Sequence, residues 1–189
     1  YNQFSQFIYK STQDCNNDGV ADRVEADYSG VGCDIVDHDE DPLLLNNTQG
    51  KADFHGFEAA LSYRLIDTEQ EGLSLNLFGD SVRGRLDDGG NLPRIPGQRV
   101  GVSVDYQNRS MQTGLSWLRV LEQDDVAALE TATDGYEKVD AYVTWWPMGA
   151  DTGWKLMLRG ENLLNEEIRN HASFLKDTVP AIGRQFILA

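Results

Sequence analysis

The sequence predicts an all-β, antiparallel fold, and more specifically a transmembrane β-barrel. Short segments of alternating polarity occur along the chain, their connections alternate between long and short, and aromatic residues gather near the segment ends. A lipid-facing strand needs only alternate residues to be apolar, which hydropathy averaging hides. No run of about 18 apolar residues occurs, so the sequence contains no transmembrane helix.

Eight segments have alternating or β-rich character, and helical periodicity is weak everywhere. The alternation is clear in 99–106, where Val100, Val102 and Val104 share one face of the predicted strand. Segment 111–121 is ambiguous, because its bulky residues would fall on both faces. The predicted strands are 1–10, 52–66, 73–86, 99–106, 111–121, 136–146, 154–164 and 184–189.

The connections distinguish a barrel from a soluble sandwich, which gives the same alternation with its apolar face in a core. Long connections are predicted over 11–51, 87–98, 122–135 and 165–183, and short ones over 67–72, 107–110 and 147–153. Transmembrane barrels have short periplasmic turns and long outer loops. Tyr63, Tyr106 and Trp154 adjoin short turns, and Phe54 and Tyr136 lie near long loops. These two aromatic girdles favour the barrel.

Charge and motif content exclude several function classes. The chain carries 31 acidic and 16 basic side chains, which gives a net charge of −15. Nucleic acid is not a predicted partner, because phosphate binding needs a basic surface. An acidic surface instead attracts cations. The sequence shows no nucleophile elbow, phosphate-binding glycine loop or catalytic Cys/His spacing, so we do not expect an enzyme.

The segment 14–25 matches the calcium-loop pattern D-x-[DN]-x-[DN]-G-x5-E at every fixed position. Gly19 would permit the sharp turn between the ligands. The predicted calcium ligands are Asp14, Asn16, Asp18, Val20 through its carbonyl, Asp22 and Glu25. No amphipathic helices flank the segment, and the alternative is an acidic loop that matches by chance. We expect bound calcium to be structural.

Two cysteines, Cys15 and Cys33, lie eighteen residues apart in one polar stretch. This spacing predicts a disulfide that closes a loop in an oxidising compartment, and the alternative is two unrelated thiols. Because Cys15 lies inside the calcium pattern, the disulfide and the metal together would order the predicted loop 11–51.

A second acidic run, 34–41, contains His38 next to Asp39 and close to Asp41. A histidine among carboxylates suits a divalent transition metal such as zinc, whereas the alternative is a solvated acidic run. The two other histidines, His55 and His171, also fall in or near predicted outer loops. These five residues are therefore the candidate zinc ligands.

The C-terminal third carries more specific patterns. The run RGENLLNEE at 159–167 resembles the penultimate strand and following turn of TonB-dependent receptors. The run PAIGRQF at 180–186 resembles the start of their last strand, and LPRIPGQR at 92–99 and ADFHGFE at 52–58 are similar to earlier strand openings of that family. The run NHASFLKD at 170–177 looks most like the zinc-regulated branch.

This resemblance spans residues 1–189 and implies the last eight strands of a barrel of about 22 strands in the bacterial outer membrane. We expect lipid around the barrel, a plug domain outside this chain, and TonB as the partner that acts through that plug. The implied cargo is a scarce metal, either zinc or a chelate such as a ferric siderophore. The alternative is a soluble extracellular calcium-stabilised β module for binding or adhesion, in which protein covers the Val100, Val102 and Val104 face.

Overall fold

The computed structural model describes residues 2–15, 17, 19, 21–22, 44–149 and 153–189. In this part of the chain, eight strands form one antiparallel sheet in sequential order. No helix among the described residues is long and apolar enough to cross a membrane. The strands are β1 (Asn2–Thr12), β2 (Leu45–Asp67), β3 (Glu71–Leu86), β4 (Arg99–Asn108), β5 (Met111–Val120), β6 (Tyr136–Trp145), β7 (Leu156–Glu161) and β8 (Gln185–Leu188).

All eight predicted strands are confirmed, but the bounds of the first long connection were wrong. β1 continues to Thr12 and β2 already begins at Leu45, so this connection covers 13–44 instead of 11–51. The polar residues Asn47 and Thr48 pair with Lys10 and Tyr9 through the main chain. Apolar alternation cannot reveal such a segment, because a strand with water on both sides needs no apolar face.

The end of β7 also differs from the prediction, which extended this strand to residue 164. The strand ends at Glu161, and Asn162 has a positive φ of 49°. Asparagine tolerates this left-handed conformation better than most residues. The buried Asn162 side chain accepts a hydrogen bond from Glu166 N at 3.1 Å and donates one to Glu166 O at 2.9 Å. The N-L-L-N pattern therefore forms a turn.

One face of the sheet is a continuous apolar band. Val102 lies opposite Leu77 and Trp117, and Leu77 lies opposite Leu61. Farther along the sheet Val143 pairs with Leu158, which pairs with Leu188. Leu61 is 58% exposed and Leu158 is 49% exposed. No described residue of this chain covers this face, which argues against the soluble-module alternative.

The register also resolves the ambiguous fifth strand. Leu115 and Trp117 pair with Val104 and Val102, so they belong to the apolar band. Leu118 lies opposite Gly101 and therefore on the other face of the sheet. The bulky residues of β5 thus divide between the two faces.

The second face is polar and internally hydrogen-bonded. Asn76 Nδ2 donates to Ser103 Oγ and to Asp105 Oδ2, each at 3.2 Å. The Tyr142 hydroxyl donates to Asp105 Oδ1 at 3.1 Å. The Tyr142 ring lies across Gly114, where an added Cβ would collide with it. Glycine at this position therefore lets the hydroxyl of β6 reach the carboxylate of β4.

The buried apolar residues of the described chain lie near the ends of the strands that adjoin long connections. They are Ala52, Leu92, Val120 and Ile168. Leu92 is 1% exposed, and its amide donates to Gly84 O at 3.0 Å, which ties the β3–β4 connection onto β3. The wall of the sheet has exposed faces, whereas its long-loop end has a small core.

Candidate functional site

Three described long connections meet at one end of the sheet. They are the β3–β4 loop (87–98), the β5–β6 loop (121–135) and the β7–β8 loop (162–184). Antiparallel strands in sequential order bring alternate connections to the same end. Gln123 Nε2 donates to Ile95 O at 2.7 Å, and Thr131 Oγ1 donates to Asp177 Oδ1 at 2.6 Å. The three loops are therefore in direct contact.

The Glu130 carboxylate, which is 8% exposed, joins all three loops. Its Oε1 accepts the Arg94 N–H of the β3–β4 loop at 2.8 Å. The same oxygen lies 3.3 Å from Lys176 Nζ and 3.3 Å from His171 Nε2, both in the β7–β8 loop. Its Oε2 accepts the Ala127 N–H at 3.0 Å. We call Glu130, His171 and Lys176 the loop hub.

The surroundings of Glu130 hold its side chain in the charged form. Burial by itself raises the pKa of this carboxyl group. The adjacent His171 side chain, the hydrogen bonds from Ala127 N and Arg94 N, and the charge of Lys176 together outweigh burial and lower the pKa to about 2. Glu130 is thus a buried anion that protein donors stabilise.

A cavity of about 270 Å³ lies between the outer end of β1 and the three loops. Its walls are mostly apolar and include Leu45, Leu86 and Pro93. Arg94 and Phe174 also line it, and the Arg94 Cζ lies 4.0 Å from the centre of the Phe174 ring. The loop cluster therefore encloses space next to a cationic group.

Two further hollows lie along the polar face of the sheet. One of about 680 Å³ lies below the loops, where Lys138, Glu161 and Gln185 line it. Another of about 270 Å³ lies toward the short turns, where Arg64 and Asp105 line it. The polar face therefore has open space both near the loops and near the short turns.

Residues 1–163 match the family described as TonB dependent receptor-like, beta-barrel. The chain belongs to this family. Its fold is also similar to the solved structure of "Copper transporter OprC", with a TM-score of 0.60 and 20% sequence identity. That similarity covers 75% of this chain and 23% of the OprC chain. The chain therefore spans less than a quarter of the length of this neighbour.

Family membership identifies what each face of the sheet contacts. A TonB-dependent receptor barrel lies in the outer membrane, so the apolar band of this chain contacts lipid and its polar face lines the lumen. The loop hub lies at the long-loop end, which is the extracellular end of such barrels. The chain is accordingly part of the barrel of a TonB-dependent receptor-like protein.

The predicted zinc ligands of the TonB-dependent barrel lie in different environments. His171 is buried, with Nδ1 2.9 Å from Thr133 Oγ1 and Nε2 3.3 Å from Glu130. His55 is exposed on β2 and pairs with Arg83 on the lipid-facing side. His38, Asp39 and Asp41 lie outside the described residues. The described chain contains no group of three metal-ligating residues, and the zinc site stays a prediction.

Only part of the predicted calcium loop is described. Gly19 N donates to Asp14 Oδ2 at 2.9 Å, and Gly19 has the φ of +87° that favours glycine. The buried Asp22 carboxylate accepts the Cys15 N–H, and Leu44 N donates to Asp22 O at 2.9 Å. Asn16, Asp18, Val20 and Glu25 lie outside the described residues. The turn fits the pattern, and calcium binding stays a prediction.

Only one cysteine of the predicted disulfide is among the described residues. Cys15 lies next to the end of β1, and the described residues contain no free cysteine. Cys33 lies outside the described residues, so the pairing of Cys15 with Cys33 stays a prediction.

The sequence interpretation missed Glu130, Lys176 and Arg94 as members of one cluster. Glu130 follows the apolar run 126–129, and this run was the sequence signal that the carboxylate would be buried. Its partners could not be predicted, because Arg94 and Lys176 lie 36 and 46 residues away along the chain.

Proposed function

We propose that this chain forms part of the wall and outer mouth of a receptor that takes up a scarce metal. The metal would enter either as zinc or as a chelate such as a ferric siderophore. A plug domain outside this chain would couple release into the periplasm to TonB. The residues of this chain would collect, hold and admit the cargo without changing its covalent structure.

The distribution of charge carries this proposal. Of the 31 acidic residues, ten lie in 13–44, two in 87–98, five in 121–135 and three in 162–184. These four long connections contain only five of the 16 Lys and Arg residues. A mouth with this excess of carboxylates raises the local concentration of cations and speeds their capture. The name of the structural neighbour, a copper transporter, also supports a metal cargo.

The more specific form of the proposal is that zinc is the transported metal. Imidazole and carboxylate groups suit zinc, and His38, Asp39 and Asp41 offer both within four residues of the acidic outer segment. His55 and His171 are the other candidate ligands. In its described position His171 supports the loop hub, so a substitution there would also disturb the loops.

Uptake by cells that carry the intact protein tests the proposal. Labelled zinc, labelled copper and a labelled ferric siderophore are supplied separately, with and without TonB. We expect TonB-dependent accumulation of at least one metal. For zinc, His38→Ala would lower uptake at least about tenfold, since even the groups that orient a ligand contribute about 10–100-fold to metal affinity, whereas the exposed control Asn47→Ala would not.

The outcomes test the metal-uptake proposal and the zinc assignment separately. Zinc uptake that is unchanged in His38→Ala would remove this ligand assignment. TonB-dependent uptake of copper or the ferric siderophore alone would replace zinc as the cargo. If no metal accumulates in a TonB-dependent manner at normal surface levels of receptor, the metal-uptake proposal is wrong.

We further propose that calcium binds at Asp14–Glu25 and orders the adjoining outer loop. Arg23 provides the test, because it is the only Lys or Arg in 13–44 and hence the only trypsin site there. At a calcium concentration about ten times the Kd, cleavage after Arg23 should slow about tenfold relative to EDTA. Asp14→Asn should abolish this protection, while Asp124→Asn in the β5–β6 loop should keep it. Equal cleavage with calcium and EDTA would contradict the site.

A further inference from the structure

The cavity of about 270 Å³ between the outer end of β1 and the three loops has a mostly apolar lining, whereas the loops around it are acidic. Leu45, Leu86 and Pro93 contribute apolar wall, as do the small residues Ala127 and Ala128. A hydrated metal ion gains little from apolar surface, whereas an organic molecule does. The lining therefore favours an organic ligand.

Two cations flank one aromatic ring at this cavity. Arg94 Cζ lies 4.0 Å from the centre of the Phe174 ring, and Lys10 Nζ lies 5.3 Å from the same centre. Arg94 Nη2 donates to Lys10 O at 3.1 Å, which leaves other guanidinium donors for a ligand. Among the described residues, neither side chain forms a salt bridge with a carboxylate. Burial also lowers the pKa of Arg94, although Glu130 opposes this effect.

The carboxylates that line the same cavity already have protein donors. Both oxygens of Glu130 accept hydrogen bonds. Asp177 Oδ1 accepts from Thr131 Oγ1 at 2.6 Å, and Asp88 Oδ1 accepts from Gly90 N at 3.2 Å. Arg94 and Lys10 are therefore the lining charges without a carboxylate partner among the described residues, and their complement is an anion.

We propose that this cavity binds a small organic anion, with its apolar body against Leu45, Leu86 and Pro93 and its carboxylate or phenolate against Arg94 and Lys10. The Phe174 ring holds the two cations in position and completes the apolar wall. This inference deepens and rests on the proposed function, since the organic part of a metal chelate is the ligand that a metal receptor would meet there.

Calorimetric titration of the intact detergent-purified receptor tests this site with two matched probes. The first probe is 2-naphthoate, and the second is its uncharged analogue 2-naphthamide. We expect 2-naphthoate to bind at least about tenfold more tightly. Arg94→Gln and Lys10→Gln should each weaken 2-naphthoate about tenfold and change 2-naphthamide less than about twofold. Arg94→Lys should recover most of the affinity.

Control variants come from the opposite end of the barrel wall. Arg109→Gln and Lys155→Gln remove the same charges from exposed positions in short connections and should leave both affinities unchanged. Arg94→Gln keeps the backbone N–H that bonds Glu130, so we expect the cavity to stay folded. Unchanged 2-naphthamide binding in this variant would verify that it does. Equal binding of the two probes, or an Arg94→Gln variant that matches Arg109→Gln, would overturn the inference.

Both probes are free of metal, so the titration is independent of transport. Absence of 2-naphthoate binding in a receptor that still accumulates metal would reject this site and leave the proposed function intact. Selective 2-naphthoate binding in a receptor without TonB-dependent metal uptake would support the site and contradict the metal cargo.

Discussion

The lipid-facing band and the loop hub are stabilised in opposite ways. The band consists of apolar side chains such as Leu77 and Val104, and 40% and 39% of their surfaces remain exposed in the isolated sheet. The hub consists of charged side chains, and those of Glu130, His171 and Lys176 are between 4% and 8% exposed. The band relies on apolar surface, whereas at the mouth charge is buried and paired.

This difference follows from the solvent on each side. The wall needs no specific side-chain partners, because the main-chain ladder satisfies its polar groups and lipid accepts any apolar surface. The outer loops lie in water and lack a large apolar core, so they depend on particular hydrogen bonds and ion pairs. A substitution in the wall should therefore be tolerated if it keeps the polarity of that face. A substitution in the hub should be tolerated only if it keeps the particular hydrogen-bond or ion-pair partner.

Glu130→Gln should have the largest effect on the hub. It leaves Lys176 buried without its anion, and breaking such a pair costs about 3–5 kcal/mol. Hydrogen exchange of amides in 121–135 and 162–184 should accelerate strongly, while amides of β4 and β5 should not change. The control Glu167→Gln removes an exposed ion pair with Arg169 and should cost less than about 1 kcal/mol. Equal exchange in both variants would mean that Glu130 does not join the loops.

Val104→Lys should be the most damaging change in the wall. A lysine on the lipid face costs about 2–4 kcal/mol near the middle of the bilayer. The neighbouring control Ser103→Lys places the same charge on the lumen face beside Asp105 and should cost less than about 1 kcal/mol. Denaturant unfolding of the intact barrel in lipid measures both free energies. A larger loss for Ser103→Lys would reverse the assignment of the two faces.

Acid should loosen the loop hub over a defined range. The pKa of Glu130 falls from an ordinary 4.5 to about 2 in the folded protein. A carboxyl group with a lowered pKa contributes stability that is fully present above pH 4.5 and is lost as the pH falls toward 2. The loss should reach about 3 kcal/mol. Distances between spin labels on the β5–β6 and β7–β8 loops would detect it, and Glu130→Gln should remove this pH dependence.

Tyr142→Phe should have the smallest effect. It removes the hydrogen bond to Asp105 but keeps the ring that covers Gly114, so we expect a loss of about 1 kcal/mol in unfolding free energy. Gly114→Ala should cost more than Tyr142→Phe, because the added Cβ would displace the Tyr142 ring. The same denaturant titration compares the two variants. A smaller effect for Gly114→Ala would show that the ring is free to move.

Most of the wall could be predicted from the sequence, while the mouth could not. The polarity of 99–106 identified both β4 and its apolar face, since strand alternation is set by neighbouring residues. The same signal failed for 45–51, where β2 leaves the lipid and pairs with β1 in water. His171 was predicted to bind zinc, but alternation and motif spacing contain no information about its contacts with Thr133 and Glu130.

The sequence by itself determined the fold class, the number of strands and the alternation of long and short connections. Period-two alternation and turn residues are local properties, so they survive without knowledge of distant contacts. Only the tertiary structure decided that Arg94, Glu130 and Lys176 meet and that a cavity lies beside them. These residues come from three loops, and the sequential antiparallel order of the strands is what brings the loops to one end.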